Sequence, residues 1–203
     1  MTHRRAVAIA GHTGNTKSAR AALSDHDPAV RATALGALER LGELTEPDLV
    51  AAFADVAPSV RRRAAAVAAT HHWPPLLGLL NDVEASVVEV AAWAAGERQR
   101  SDDGLVDVLC SIAAGHDDAL CRESAVAALG AIGDNAGLET ILTALSDKAP
   151  IRRRAVLALA PFDDPRADAA IASALDDRDW QVRQAAEDLG GQNTGERGII
   201  DQR

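Results

Sequence analysis

The sequence predicts an all-α protein, a right-handed α-α superhelix of stacked helical hairpins. Three observations carry that prediction. A short phrase returns along the chain at a spacing near thirty residues, and apolar residues recur inside its copies with the period of a helix. The apolar fraction, 47% of the chain, is mostly alanine, leucine and valine, with only 2% aromatic residues and no tyrosine. Self-similarity at this period marks a solenoid, in which each unit buries its apolar face against the next. Small side chains suit helices that pack closely side by side, and alanine has the highest helix propensity.

The phrase reads acid, a few residues, apolar, Arg, two residues, Ala, two residues, small or apolar. It appears as Asp25…Val30-Arg31…Ala34…Ala37, Asp55…Val60-Arg61…Ala64…Val67 and Asp118…Cys121-Arg122…Ala125…Ala128. It returns as Asp147…Ile151-Arg152…Ala155…Ala158 and Asp177…Val182-Arg183…Ala186…Leu189. A degenerate copy, Asp82…Val87-Val88…Ala91…Ala94, has valine in the arginine's place, and with it the intervals are 30, 27, 34, 30 and 31 residues.

Each period divides into two helices. The expected order opens with a helix near 2–10, the second half of a leading half-repeat. Six hairpins follow: 15–24 with 28–41, 46–54 with 58–70, 74–81 with 85–98, 102–114 with 119–132, 136–146 with 149–160, and 166–175 with 179–189. Leu105, Val108, Leu109 and Ile112 fall at i, i+3, i+4 and i+7, with Ser101 as N-cap. Asp27-Pro28 and Ala57-Pro58 set proline in a first turn, where no amide donor is needed. Gly11-His12-Thr13-Gly14-Asn15 and Gly133-Asp134-Asn135-Ala136-Gly137 break the chain between pairs. No segment alternates with period two. Residues 1–189 read as one solenoid and 190–203, which lack a helical stripe, as a flexible tail.

The phrase Asp-x-x-Pro-x-Val-Arg-x-x-Ala-x-x-Ala-Leu resembles the HEAT repeat, particularly the short form named after phycobilisome lyases. Residues 23–38 and 117–133 carry the match best, and it extends to about Leu189. The resemblance implies the fold and a concave face lined by second helices. It implies no single activity, because the family includes scaffolds, chromophore lyases, a metal-dependent hydroxylase and nucleic-acid enzymes.

Charge narrows the function. A formal −9 opposes general nucleic-acid binding, which needs a positive footprint to displace counterions. Nineteen arginines stand against two lysines, Lys17 and Lys148. Arginine is preferred where a planar fork holds carboxylates. The repeated pairs Asp25 with Arg31, Asp55 with Arg61, Asp118 with Arg122, Asp147 with Arg152 and Asp177 with Arg183 form a structural ladder on this reading, each arginine reaching back to the acid of its own turn. Arg61-Arg62-Arg63 and Arg152-Arg153-Arg154 hold more arginine than the phrase explains. Three consecutive helical residues span about 200°, so part of each trio faces solvent. Arg62, Arg63, Arg153 and Arg154 are therefore candidate contacts to an acidic protein segment or a phosphate-bearing ligand, set against a solvated, internally paired face. Trp93, with Glu89 on the degenerate repeat, is the second candidate site.

Other chemistry is thinly represented. Paired acids such as Asp117-Asp118 and Asp102-Asp103 read as caps. His71-His72-Trp73-Pro74-Pro75 is the one histidine cluster. A dinuclear iron hydroxylase on this fold would show His-Glu pairs, and the chain has no such dipeptide, so no metal or cofactor is expected. Phosphate-loop, nucleophile-elbow and paired-cysteine motifs are missing. Cys110 and Cys121, on neighbouring predicted helices, read as reduced core residues. With no apolar run of some eighteen residues and only a short N-terminal apolar stretch, a cytoplasmic protein is expected. The function read from the sequence is a non-enzymatic scaffold binding a protein partner on its concave face. The alternatives are an accessory lyase or chaperone for a tetrapyrrole or other cofactor and, behind it, nucleic-acid binding.

Overall fold

The structure, a computed structural model, describes residues 2–100 and 104–197. Among these there is no strand, and none of the helices is long and apolar enough to cross a membrane. The chain divides into two compact units, Met1–Arg98 and Gln99–Arg203.

The first unit runs α1 (His3–Thr13), α2 (Thr16–Ala21), α3 (Pro28–Leu41), α4 (Glu46–Phe53), α5 (Pro58–Ala68), α6 (Leu77–Leu80) and α7 (Ala85–Arg98), with a 3₁₀ turn at Ala22–Ser24. The second runs α8 (Leu105–Gly115), α9 (Ala119–Ile132), α10 (Leu138–Ala144), α11 (Ala149–Ala158), α12 (Pro165–Ala174) and α13 (Trp180–Arg197), with a 3₁₀ turn at Asn135–Gly137. Within a unit the second helices form a layer: α1, α3, α5 and α7 pack in series, as do α9, α11 and α13. Each first helix lies against its own partner. This is α-solenoid architecture in both units.

Local chemistry explains the helix ends. Asp27 accepts a hydrogen bond from the Ala29 amide, Pro28 occupies the first turn, and Gly42 closes α3 at φ 67°. In α9, Asp118 caps the Leu120 amide and Gly133 closes the helix at φ 68°. Thr45 and Asp48 form a reciprocal capping box on α4. The expected helix over 74–81 shrinks to Leu77–Leu80, because the Pro75 ring crowds the preceding residue and disfavours helical backbone at Pro74. α13 continues to Arg197, past the expected end at Leu189. The expected caps at Ser101, Asp102 and Asp103, and residues 198–203 of the expected tail, lie outside the described residues.

The small residues of the phrase set the helix spacing. Val30, Ala34, Ala37 and Leu38 are all buried on α3, as are Cys121, Ala125, Ala128 and Leu129 on α9. At Gly11 and Gly130 the backbones of neighbouring helices come close. A Cβ at Gly130 would lie 2.6 Å from the Ala158 Cα, and one at Gly11 2.8 Å from the Ala37 Cα. The equivalence places Gly11 eight residues after His3, as Gly130 stands eight after Arg122. His3 therefore occupies the arginine position of the leading half-repeat.

Candidate partner-binding surface

The repeat arginines come first, because they define which side chains remain free. Arg31 donates through Nε and Nη2 to both carboxylate oxygens of Asp55, each at 2.7 Å, and through Nη1 to the Asp25 carbonyl at 2.8 Å. Arg61 holds Asp82 at 2.6 and 2.8 Å and the Asp55 carbonyl at 2.9 Å. Arg122 holds Asp147 at 2.7 and 3.0 Å, and Arg152 holds Asp177 at 2.8 and 2.7 Å. The sequence reading paired each arginine with the acid of its own turn. The structure corrects this: the fork goes forward to the aspartate of the next repeat, and only Nη1 turns back, to a backbone carbonyl. One side chain thus ties a turn to its helix and one repeat to its neighbour.

Two residues stand differently from the expected ladder. Asp118 is a helix cap, and His116 occupies the aspartate's place, six residues before Arg122. The His116 Nδ1 accepts from the Asp118 amide at 3.0 Å, the turn bond that Asp25, Asp55 and Asp177 make with a carboxylate oxygen. The repeat before His116 carries Val88, so donor and acceptor are missing together. Arg183 keeps its backward bond to the Asp177 carbonyl at 2.7 Å. At the other end His3 reaches Asp25 at 2.8 Å, a rung the sequence reading missed.

Hydrogen bonds from Arg152 hold the Asp177 carboxyl well below its ordinary value, at about 2, against the opposing effect of burial. Because the folded pKa is depressed, the stabilisation is present above the unfolded value near 4 and is lost as pH falls toward 2. Removing it by acid is expected to cost about 2 kcal/mol. Urea titrations at several pH values should show wild type losing stability between about pH 5 and pH 2, and Asp177→Asn should lessen that dependence, the other ladder aspartates supplying the rest.

Beyond the ladder, the trios separate. Arg62, Arg63 and Arg153 are exposed, while Arg154 approaches Glu123 at 3.4 Å and is half-buried. Arg62 and Arg63 lie in the first unit, Arg153 and Arg154 in the second. Trp93 is 46% exposed on α7, beside a half-buried Glu89. Trp180, 64% exposed, shares a cleft of about 140 Å³ with Arg153, Leu157, Gln184 and Asp188.

A larger groove, about 400 Å³, opens across α1, α3 and α5. Arg4, His12, Thr33, Arg40, Ser59 and Arg63 bring their polar groups to it, and no carboxylate lines it among the described residues. Arg4 Nε donates to the Thr33 hydroxyl at 3.3 Å. Arg63 crosses over α3 at Gly36, where a Cβ would fall inside the guanidinium. The acid beside Arg40 is engaged elsewhere: Glu39 accepts from Thr70 at 2.9 Å and meets His71 at 2.7 Å. Neither Trp93 nor Glu89 lines this groove. Sequence reasoning found Arg63 but missed Arg4, Arg40 and His12, which belong to different repeats and to no shared phrase.

In the His71–Pro75 cluster Pro74 is buried, His71 and Trp73 are half-buried, and His72 and Pro75 are exposed. The His71 and Trp73 rings lie 4.5 Å apart, and buried Arg98 donates to the Ala68 and Pro74 carbonyls, each at 3.0 Å. Cys110 and Cys121 are not joined in a disulfide; the Cys110 thiol faces the Ala136 carbonyl at 3.9 Å.

Similarity to known proteins follows the fold. No curated protein matches the sequence. Among solved structures, a designed armadillo repeat protein in complex with the peptide (KR)4 is 16% identical, with TM-score 0.50, covering 90% of this chain and 83% of that one. Human deoxyhypusine hydroxylase in complex with glycerol is 17% identical, with TM-score 0.49, covering 95% and 79%. An engineered protein is 18% identical, with TM-score 0.48, covering 95% and 85%. The description "HEAT repeats" fits residues 73–153 and 106–189. Those segments together span more than half of the sequence, and the chain belongs to the HEAT-repeat family.

Proposed function

We propose that the protein is a non-enzymatic interaction module that binds an acidic segment of a protein partner through its second helices. One observation carries this reading: Arg62 and Arg63 on the second helices of the first unit, and Arg153 on those of the second, are exposed, and none has a carboxylate within ion-pair distance among the described residues. The ladder has taken the arginines that join repeats through carboxylates, which leaves the charge of these three available to a ligand. In a chain of net charge −9, such exposed arginines give a local positive potential that steers an acidic partner. The designed armadillo neighbour is in complex with a basic peptide; the exposed arginines here call for an acidic one. We also propose a cytoplasmic setting, in keeping with two unlinked thiols, and the short, phycobilisome-lyase-like type of repeat on the strength of the phrase alone.

The test is a pull-down from the source cells with mass spectrometry, comparing wild type with an Arg62→Glu, Arg153→Glu protein of equal helicity. The reading expects partners rich in acidic segments that wild type retains and the variant loses by roughly tenfold or more. Identical partner sets at equal yield would refute it.

A further inference from the structure

We propose that the groove across α1, α3 and α5 is a recognition pocket for a phosphorylated serine or threonine side chain, held by Arg4, Arg40 and Arg63. This deepens the interaction-module reading and rests on it.

Three guanidinium groups converge on one groove of about 400 Å³, inside the range of small-ligand sites at roughly 300–1,000 Å³. Each carries five N–H donors and no acceptor, and among the described residues only the Arg4 Nε has a hydrogen-bond partner, the Thr33 hydroxyl. Arg40 and Arg63 meet no carboxylate among the described residues. Three like charges held together in a carboxylate-free groove repel one another, and an anion relieves that repulsion in proportion to its charge. A carboxylate brings one negative charge and two oxygens. A phosphorylated side chain brings about −1.5 to −2 and three strong acceptor oxygens. The dianion is therefore the better match, through charge-assisted and bidentate bonds.

The backbone below supports the same assignment. Gly36 sits in mid-helix, where glycine costs helix stability, yet any side chain there would collide with the Arg63 guanidinium. The missing Cβ lets Arg63 lie across α3 and reach the groove. The Ser59 and Thr33 hydroxyls line the same wall. A nucleic-acid backbone is the poorer occupant, because serial phosphates need a long basic stripe, and the exposed or half-buried Glu89 and Glu97 of α7 interrupt one.

The experiment is fluorescence anisotropy at low salt with three peptide pools of identical random flanks, centred on phosphoserine, glutamate or serine. A labelled single-stranded DNA oligonucleotide is the fourth probe. The phosphoserine pool is expected to bind roughly tenfold more tightly than the glutamate pool and to be displaced by inorganic phosphate. Arg40→Glu and Arg63→Glu should each abolish the difference, and Lys17→Glu, on α2 and outside the groove, should preserve it. Arg63→Gln, which removes charge without adding repulsion, guards against a folding artefact and should weaken the phosphoserine pool alone. Equal binding of the phosphoserine and glutamate pools overturns the proposal, as does undiminished binding by Arg63→Gln or tighter binding of DNA. If the pools fail to discriminate while partners in the pull-down still depend on Arg62 and Arg153, this inference falls and the interaction module stands.

Discussion

Arg152→Ala is expected to destabilise the protein by about 3 kcal/mol, the scale on which removing one partner of a buried ion pair leaves the other uncompensated. Arg152 is 6% exposed and makes three hydrogen bonds, two to Asp177 and one to the Asp147 carbonyl. Its loss strands a carboxylate, frees a carbonyl and removes a tie between successive repeats. For a chain of this length that is a fall in Tm of roughly 6–12 °C by calorimetry. The double variant Arg152→Ala, Asp177→Ala should cost less than the sum of the singles, because the stranded charge disappears with its partner. Strict additivity would mean the two side chains do not act on each other.

Gly130→Ala, an exchange that helps most helices, is expected here to destabilise by about 1 kcal/mol. Alanine gains roughly 1 kcal/mol in helix propensity over glycine. Against that, the new Cβ would lie 2.5 Å from the Ala158 Cβ and 2.6 Å from its Cα, so α9 and α11 must move apart. Overpacking of this kind costs about 1–3 kcal/mol or more, and backbone cannot give way as a side chain does, so the steric cost wins. Gly36→Ala is the internal comparison. Its Cβ meets only the mobile end of Arg63, so the propensity gain should leave stability unchanged or raised by up to about 1 kcal/mol. Urea unfolding of both variants checks the contrast; equal effects would contradict the packing argument.

The parts legible in the sequence were those written within one repeat. Asp27-Pro28 and Gly42 bracket α3, and its expected span of 28–41 matches the observed helix, because caps and stops act over a few residues. The short α6 was obscured by apolar residues that read as helix while two prolines prevented it. α13 outran its apolar stripe. The arginines of the phrase announced themselves, but their carboxylate partners lie between 21 and 25 residues ahead. Only the stacking register brings Asp55 to Arg31, whereas the nearer Asp25 looks the natural mate in the linear chain. His3 was hidden because histidine breaks the phrase; its spacing to Gly11, repeated by Arg122 and Gly130, was the signal available. The groove was invisible for a related reason. Arg4, Arg40 and Arg63 share no motif and meet only because three second helices lie side by side.

The most direct test of the interaction account is hydrogen exchange with mass spectrometry in the presence of two peptides, a glutamate homopeptide and an alternating Lys-Arg peptide of equal length. The account predicts slowed exchange in α1, α3 and α5 with the acidic peptide, weakened by added salt, and no change with the basic one. Protection by the basic peptide, or protection confined to α2, α4 and α6, would contradict it.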